Sequence, residues 1–238
     1  MSRPALRAVT LDAYGTLFDL DSTIDRSLEA IVEEQGLPAD PRALGGAWTR
    51  RFFEMLYAYG DAHDGGGGRE FRTIRELTTD SLVGAFDEFG VSGDVERGVE
   101  TWFDHVVTSP LYPEVREAVE ILSARFRVAI VSDADDDILA PSLDEAGLGV
   151  ELVFTSEAEH SYKIDPETTL FARAFEALGA EPSEAAHVGD SATDVVGACR
   201  AGARAVWLSR DGRAWKNGHA RPNVTARDLL EAARALVG

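Results

Sequence analysis

The sequence predicts an α/β protein: a parallel sheet core with helices on both faces and a helical subdomain inserted into it. Three observations predict it. Short runs of β-forming residues recur at 8–11, 128–131, 152–154, 186–188 and 203–208, each leading into helical periodicity. The interval between the first two runs is far too long for one crossover and reads as helices. Several runs end in an acid or a small hydroxyl residue, and open parallel sheets bind ligands at such strand ends.

The run Ala8-Val9-Thr10-Leu11 ends abruptly in Asp12, with Gly15-Thr16 behind it. Burying an unpaired charge costs several kcal/mol, so a carboxylate here takes a metal, a substrate or a hydrogen-bond network as partner, unless it caps a turn. Helical periodicity follows. Residues 22–35 open with a Ser/Thr/Asp-type cap and stop at Gly36. Residues 43–59 carry Trp48, Phe52, Met55, Leu56 and Tyr59 at helical spacing, an aromatic stripe that reads as subdomain core rather than ligand wall. Helices at 72–89 and 95–107 complete the insertion. The predicted boundaries are 1–17 and 109–238 for the core and 18–108 for the helical cap. Gly65 to Gly68 form a loop and no phosphate cradle, because no strand precedes them and no Lys-Ser/Thr follows.

Composition narrows the function classes. The 238 residues are 45% apolar and 27% charged, a globular balance. No apolar run approaches the ~20 residues of a membrane helix. Met1-Ser2-Arg3-Pro4 leads directly into the first strand, leaving no room for a secretory signal, and the single Cys199 excludes an internal disulfide. These features predict a cytoplasmic protein without a membrane partner, a monomer or homodimer. Lys and Arg number 23 against 42 Asp and Glu, a net charge of −19. A field of that sign repels nucleic acid and anionic lipid, and reads as a solvated acidic surface. A small anionic substrate still binds where the site carries its own cation.

Three further pieces join Asp12. The strand Arg127 to Val131 ends in Ser132-Asp133, placing a hydroxyl donor at the strand terminus. Lys163 lies in the Ser161-Tyr162-Lys163-Ile164-Asp165-Pro166 loop, where a fixed cation neutralises substrate or nucleophile charge. His187-Val188-Gly189-Asp190-Ser191-Ala192-Thr193-Asp194 ends a strand in one acid and adds a second four residues on. Carboxylates so close repel unless a cation lies between them, and their oxygens suit Mg²⁺, although helix caps use acids too.

In this order and at these strand ends, the four pieces resemble the haloacid dehalogenase superfamily of hydrolases, over nearly the whole chain. The resemblance implies a Rossmann-like core with a helical cap after the first motif. It implies Asp12 as the nucleophile that forms a covalent aspartyl intermediate, Ser132 as the residue that binds the transferring group, and Lys163 as the neutralising cation. Thr16 and Asp133 are expected to join Ser132 and Lys163 in binding substrate. The implied Mg²⁺ ligands are Asp12, the Tyr14 backbone carbonyl, Asp190 and Asp194.

Two branches of the family compete for this chain. Phosphatases of the family usually carry an acid/base Asp where Tyr14 stands, and a phenol of pKa ~10 replaces it poorly. Asp-Ala-Tyr-Gly-Thr-Leu-Phe-Asp is the wording of the 2-haloacid dehalogenases, whose leaving halide needs no proton. Yet that branch uses no metal, keeps small polar residues in place of Asp190, and has Ser-Asn where this chain has Ser132-Asp133. Its cap arginine directly follows a tryptophan. Here Thr49 follows Trp48, and Arg50 and Arg51 are displaced along the helix by ~100° per residue. Ile164 stands where both branches commonly have proline. The expectation is a Mg²⁺-dependent phosphatase of a small phosphorylated metabolite. The alternatives are a 2-haloacid dehalogenase, or a binding protein that keeps the fold with weakened chemistry.

Overall fold

A computed structural model of the chain describes residues 4–60, 70–216, 218 and 220–238. The glycine run Gly65 to Gly68 lies outside the described residues. Among them, six strands form one sheet in the order β3-β2-β1-β4-β5-β6, every neighbouring pair parallel. The strands are β1 (Ala8–Leu11), β2 (Arg127–Ser132), β3 (Val153–Thr155), β4 (Ala185–Gly189), β5 (Arg204–Leu208) and β6 (Val224–Ala226). β1 is buried along its whole length, as expected of a strand covered on both faces. The short edge strand β6 carries no clear alternation and was not expected from the sequence; its pairing with β5 brings it into the sheet.

Helices cover both faces. α5 (Val115–Ser123), α6 (Asp136–Ala146) and α10 (Leu229–Val237) pack on one face, where Leu122, Leu139 and Leu229 meet Val9, Leu11 and Ile130. On the other face α8 (Thr169–Leu178) and α9 (Ala192–Arg200) place Phe171, Phe175 and Val195 against Ala8, Ala129 and Val131. α7 (Ser156–Glu159) is one short turn after β3. Chain direction diverges at β1, with β2 on one side and β4 on the other, so the carboxyl ends of these strands flank a topological switch point.

Between β1 and β2 lie α1 (Leu20–Gln35), α2 (Pro41–Tyr57), α3 (Ile74–Phe89) and α4 (Val95–Val107). Their caps explain where they begin. Asp19 accepts the Ser22 N–H, so α1 opens two residues ahead of the Ser22 expected from the sequence. Asp40 caps α2 with Pro41 in its first turn, where a missing N–H costs nothing. Thr73 and Glu76 form a capping box for α3. Leu28, Ile31, Leu44, Trp48, Leu82, Phe86 and Trp102 make a separate hydrophobic cluster in this subdomain.

Specific contacts seat the cap on the core. Both Asp135 oxygens, at the start of α6, accept backbone N–H groups of Ile74 and Arg75, each at 2.8 Å. The carboxylate therefore sits at the positive end of the α3 dipole. The Tyr162 hydroxyl donates to the Arg72 carbonyl, and Tyr59 and Phe71 pack on its ring. Burial still outweighs the two N–H bonds and pushes the Asp135 pKa up to about 6. A folded-state value above the unfolded one means the associated stability is present below about pH 4 and is lost as pH rises through about 6. Urea midpoints across pH 4 to 7 should fall accordingly, and Asp135→Asn should flatten that slope; an unchanged slope in the variant would refute the assignment.

Candidate active site

The site forms where β1, β2 and β4 end. The ladder carries one residue past β1, the Asp12 N–H donating to the Val188 carbonyl at 2.9 Å, and there the chain turns. Asp12 is buried at 4% exposure. The Ser132 hydroxyl, at the end of β2, donates to Asp12 Oδ1 at 3.2 Å. Lys163 Nζ donates to the same oxygen at 2.6 Å and to Asp194 Oδ1 at 2.5 Å. Lys163 itself is 3% exposed. Burial would depress its pKa, but Asp12 and Asp194 overcome that and hold it well above the ordinary lysine range.

Asp194 is fully engaged. Its Oδ1 also meets His187 Nε2 at 3.0 Å, and its Oδ2 accepts the Ser191 N–H at 2.8 Å and the Ser191 hydroxyl at 2.5 Å. Burial alone would raise its pKa; Lys163 and His187 reverse this and hold the carboxyl far below the ordinary range. Asp190 is the opposite case. Burial first, then Asp12 and Asp194, push its pKa well up. The Thr16 hydroxyl lies 3.5 Å from Asp190 Oδ1, and among the described residues no side-chain cation pairs with Asp190. Asp12, Asp190 and Asp194 offer carboxylate oxygens within 4.8 Å of one another. Hard oxygen donors in a buried cluster short of positive charge fit Mg²⁺.

Most residues expected from the sequence converge here, and some do so in other roles. Asp12, Ser132, Asp133, Lys163 and Asp190 line one cavity, together with Tyr14. Thr16 does not line it: its side chain is wholly buried behind Asp190. The Asp133 Oδ1 accepts the Lys163 backbone N–H at 2.8 Å and so sets the lysine loop, while its Oδ2 is buried without a partner. Burial pushes the Asp133 pKa up to about 7. The Tyr14 phenol, its pKa raised by burial, pairs with the Ser142 hydroxyl at 3.0 Å. The aromatic stripe of α2 is a correction to the sequence reading: Trp48, Phe52 and Leu56 pack as core and also wall the cavity. Arg50 and Arg51 turn away to Glu88, at 2.7 and 2.9 Å, and Thr49 lines the cavity instead.

Sequence reasoning missed several supports. His187, on β4, bridges Asp194 to the Thr10 hydroxyl at 2.8 Å, tying β1 to β4 beneath the site. Arg210 donates to the Gly15 and Thr16 carbonyls at 3.1 and 2.7 Å and to Glu114 at 2.7 Å, holding the loop after Asp12 from outside. Two glycines make room for carboxylates. A Cβ on Gly15, where φ is +92°, would fall 2.5 Å from Asp190 Oδ2, and one on Gly189 would fall 2.1 Å from Asp194 Cγ. Gly189 directly precedes Asp190 and Gly15 lies three residues past Asp12, which was the available signal.

Sheet topology thus brings a buried carboxylate with one free oxygen and a shared ammonium together at the end of the first strand. The family model of the haloacid dehalogenase-like hydrolases matches residues 6–202, and the chain belongs to that family. It is 28% identical over 213 residues to (S)-2-haloacid dehalogenase 4A of Burkholderia cepacia, covering 87% of this chain and 85% of that protein. It is 35% identical over 152 residues to phosphoserine phosphatase of Thermus thermophilus, covering 62% of this chain and 60% of that protein. Among solved structures, a dehalogenase superposes with a TM-score of 0.79 at 25% identity, over 98% of each chain. Names of 2-haloacid dehalogenases predominate among such relatives, with phosphatases also present.

Two substitutions test the charge balance. Lys163→Met leaves the buried Asp12 and Asp194 without their ammonium and should cost ~3–5 kcal/mol in urea unfolding. Asp190→Asn should stabilise the metal-free protein: its folded pKa is raised, so the wild type loses stability as pH rises above the usual carboxylate range, and the amide removes that loss. The same variant should lose most of the rise in Tm that Mg²⁺ gives the wild type. An equal rise in both proteins would remove Asp190 from the cation site.

Proposed function

We propose that this hydrolase is a Mg²⁺-dependent phosphatase of a small phosphorylated metabolite, working through an aspartyl-phosphate intermediate on Asp12. Asp190 carries the reading. A 2-haloacid brings its own carboxylate, and the sole cation among the described residues that line the cavity is Lys163, already shared by Asp12 and Asp194. Asp190 adds negative charge to that site and has no use in halide displacement. Asp12, Asp190 and the Tyr14 carbonyl would hold the metal; both oxygens of Asp194 are occupied, which suits it to positioning Lys163 and His187. When bound, Mg²⁺ neutralises the clustered carboxylates and polarises the phosphoryl oxygens.

The chain's own groups supply the rest. Asp12 Oδ1 accepts from Ser132 and Lys163, which leaves Oδ2 as the attacking oxygen. Oδ2 bonds to phosphorus, the ester P–O bond breaks, and its electron pair leaves on the alcohol oxygen, which takes a proton from water. Water then attacks phosphorus, the P–O bond to Asp12 breaks, and inorganic phosphate leaves with the carboxylate restored. Lys163 and the Ser132 hydroxyl face the charge that builds on the phosphoryl oxygens. Tyr14, bonded to Ser142, protonates nothing here, so alcohols that leave poorly are disfavoured.

A second reading, the 2-haloacid dehalogenase, is supported by Tyr14 and by the relatives' names, which favour it over the phosphatase. One assay separates the two. Mg²⁺-dependent phosphate release from p-nitrophenyl phosphate, abolished by a chelator and lowered on the order of 10³-fold or more in Asp12→Asn, is expected. Chloride release from 2-chloropropionate without metal would establish the second reading, and binding without turnover of either would leave a binding protein. In a phosphatase, Tyr14→Asp should raise kcat ~10²-fold for esters of poorly leaving alcohols and change p-nitrophenyl phosphate little. A loss of activity toward both substrates would count against a missing acid at this position.

A further inference from the structure

The cavity above Asp12 encloses about 140 Å³, room on the order of ten waters or one small organic body. Its floor is charged and its walls are largely apolar. Away from the carboxylates it is lined by Ile24, Trp48, Phe52, Phe53, Trp102 and Phe103, with Trp48 and Trp102 edge to face at 4.7 Å. Several polar groups on the wall are spent within the protein. Trp48 Nε1 donates to the Thr78 carbonyl at 3.3 Å, the Tyr14 hydroxyl pairs with Ser142 at 3.0 Å, and both Asp135 oxygens take backbone N–H groups at 2.8 Å. The cap's nearby arginines are spent too. Arg50 and Arg51 bind Glu88, and Arg75 binds Asp137 at 3.1 Å with its guanidinium 4.2 Å over the Phe103 ring.

We propose that the substrate is the phosphate monoester of a compact, uncharged, apolar alcohol or phenol, its aryl group seated against Trp48, Phe52 and Trp102. The proposal rests on the phosphatase reading of the site. A hydroxyl left unpaired against these rings loses roughly tenfold in affinity, whereas each buried CH₂ gains about fourfold. A carboxylate on the alcohol meets, among the described residues that line the cavity, no cation but the shared Lys163, and meets Asp133, Asp135 and Asp190 as well. Selection thus comes from what the wall cannot pair as much as from what it contacts.

The test uses the Mg²⁺-loaded full chain. Acetyl phosphate, which has no body to fill the cavity and a leaving group that needs no proton, reports the phosphatase chemistry alone. Benzyl phosphate and phosphoglycolate, whose leaving alcohols are of similar basicity, report the wall. Benzyl phosphate should exceed phosphoglycolate in kcat/KM by ~100-fold. Hydrolysis of acetyl phosphate with phosphoglycolate equal or preferred would overturn the substrate class and leave the phosphatase standing. No metal-dependent hydrolysis of acetyl phosphate would overturn both. Thr49→Arg, which places a guanidinium on the wall without touching the acids, should narrow the preference at least tenfold. Thr49→Val should keep or widen it, and a narrowing in this uncharged variant would also overturn the proposal.

Discussion

One buried ammonium holds the site together. Lys163 Nζ joins Asp12, which ends β1, to Asp194, which opens α9, and its backbone N–H is fixed by Asp133 beyond β2. His187 ties Asp194 back to Thr10 on β1. Three strand ends are thereby set by mutual charge. Removing two carboxylates and an ammonium from water is expensive, and the short, multiply bonded geometry offsets that cost. The arrangement also divides the lysine's single positive charge between two carboxylates. Any further anion, whether the ionised Asp190 or a substrate, needs positive charge from elsewhere. The metal dependence proposed for this chain follows from that shortage.

The cap completes the site with the opposite chemistry. Its aromatic residues form their own core and then continue to the cavity, so the surface that stabilises the subdomain also faces the substrate. The Asp135 carboxylate at the start of α3 and the Tyr162 hydroxyl on Arg72 fix this apolar wall over the acids. Low dielectric above the carboxylates strengthens the field at Asp12 and raises the cost of every unpaired polar group brought in. The net charge of −19 acts at longer range, opposing the approach of polyanions.

The relatives and the residues of the site point in different directions, for a physical reason. Overall similarity is shared with relatives named for dehalogenation and for phosphate release alike, and a fold does not fix the reaction it carries. The two readings of this chain differ over how charge is balanced at the end of β4 and in the cap. There the chain has Asp190, and it has Thr49 rather than an arginine directly after Trp48.

The sequence by itself determined the strand-end residues. An acid or serine that interrupts a buried apolar run is visible in one dimension, because burial of such a group demands a partner, and Asp12, Ser132 and Asp190 were legible for that reason. The parallel sheet and the helical insertion were legible from periodicity, since a strand covered on both faces is apolar throughout and a helix is not. Only the tertiary structure decided the rest. Whether Trp48 and Phe52 wall a cavity as well as fill a core depends on what packs opposite them, and periodicity is the same in both cases. The removal of Thr16 behind Asp190, the turn of Arg50 and Arg51 to Glu88, and the bridge from His187 to Asp194 are pairings between distant segments. Residue types name the groups able to make such pairs; the folded chain alone selects which of them meet.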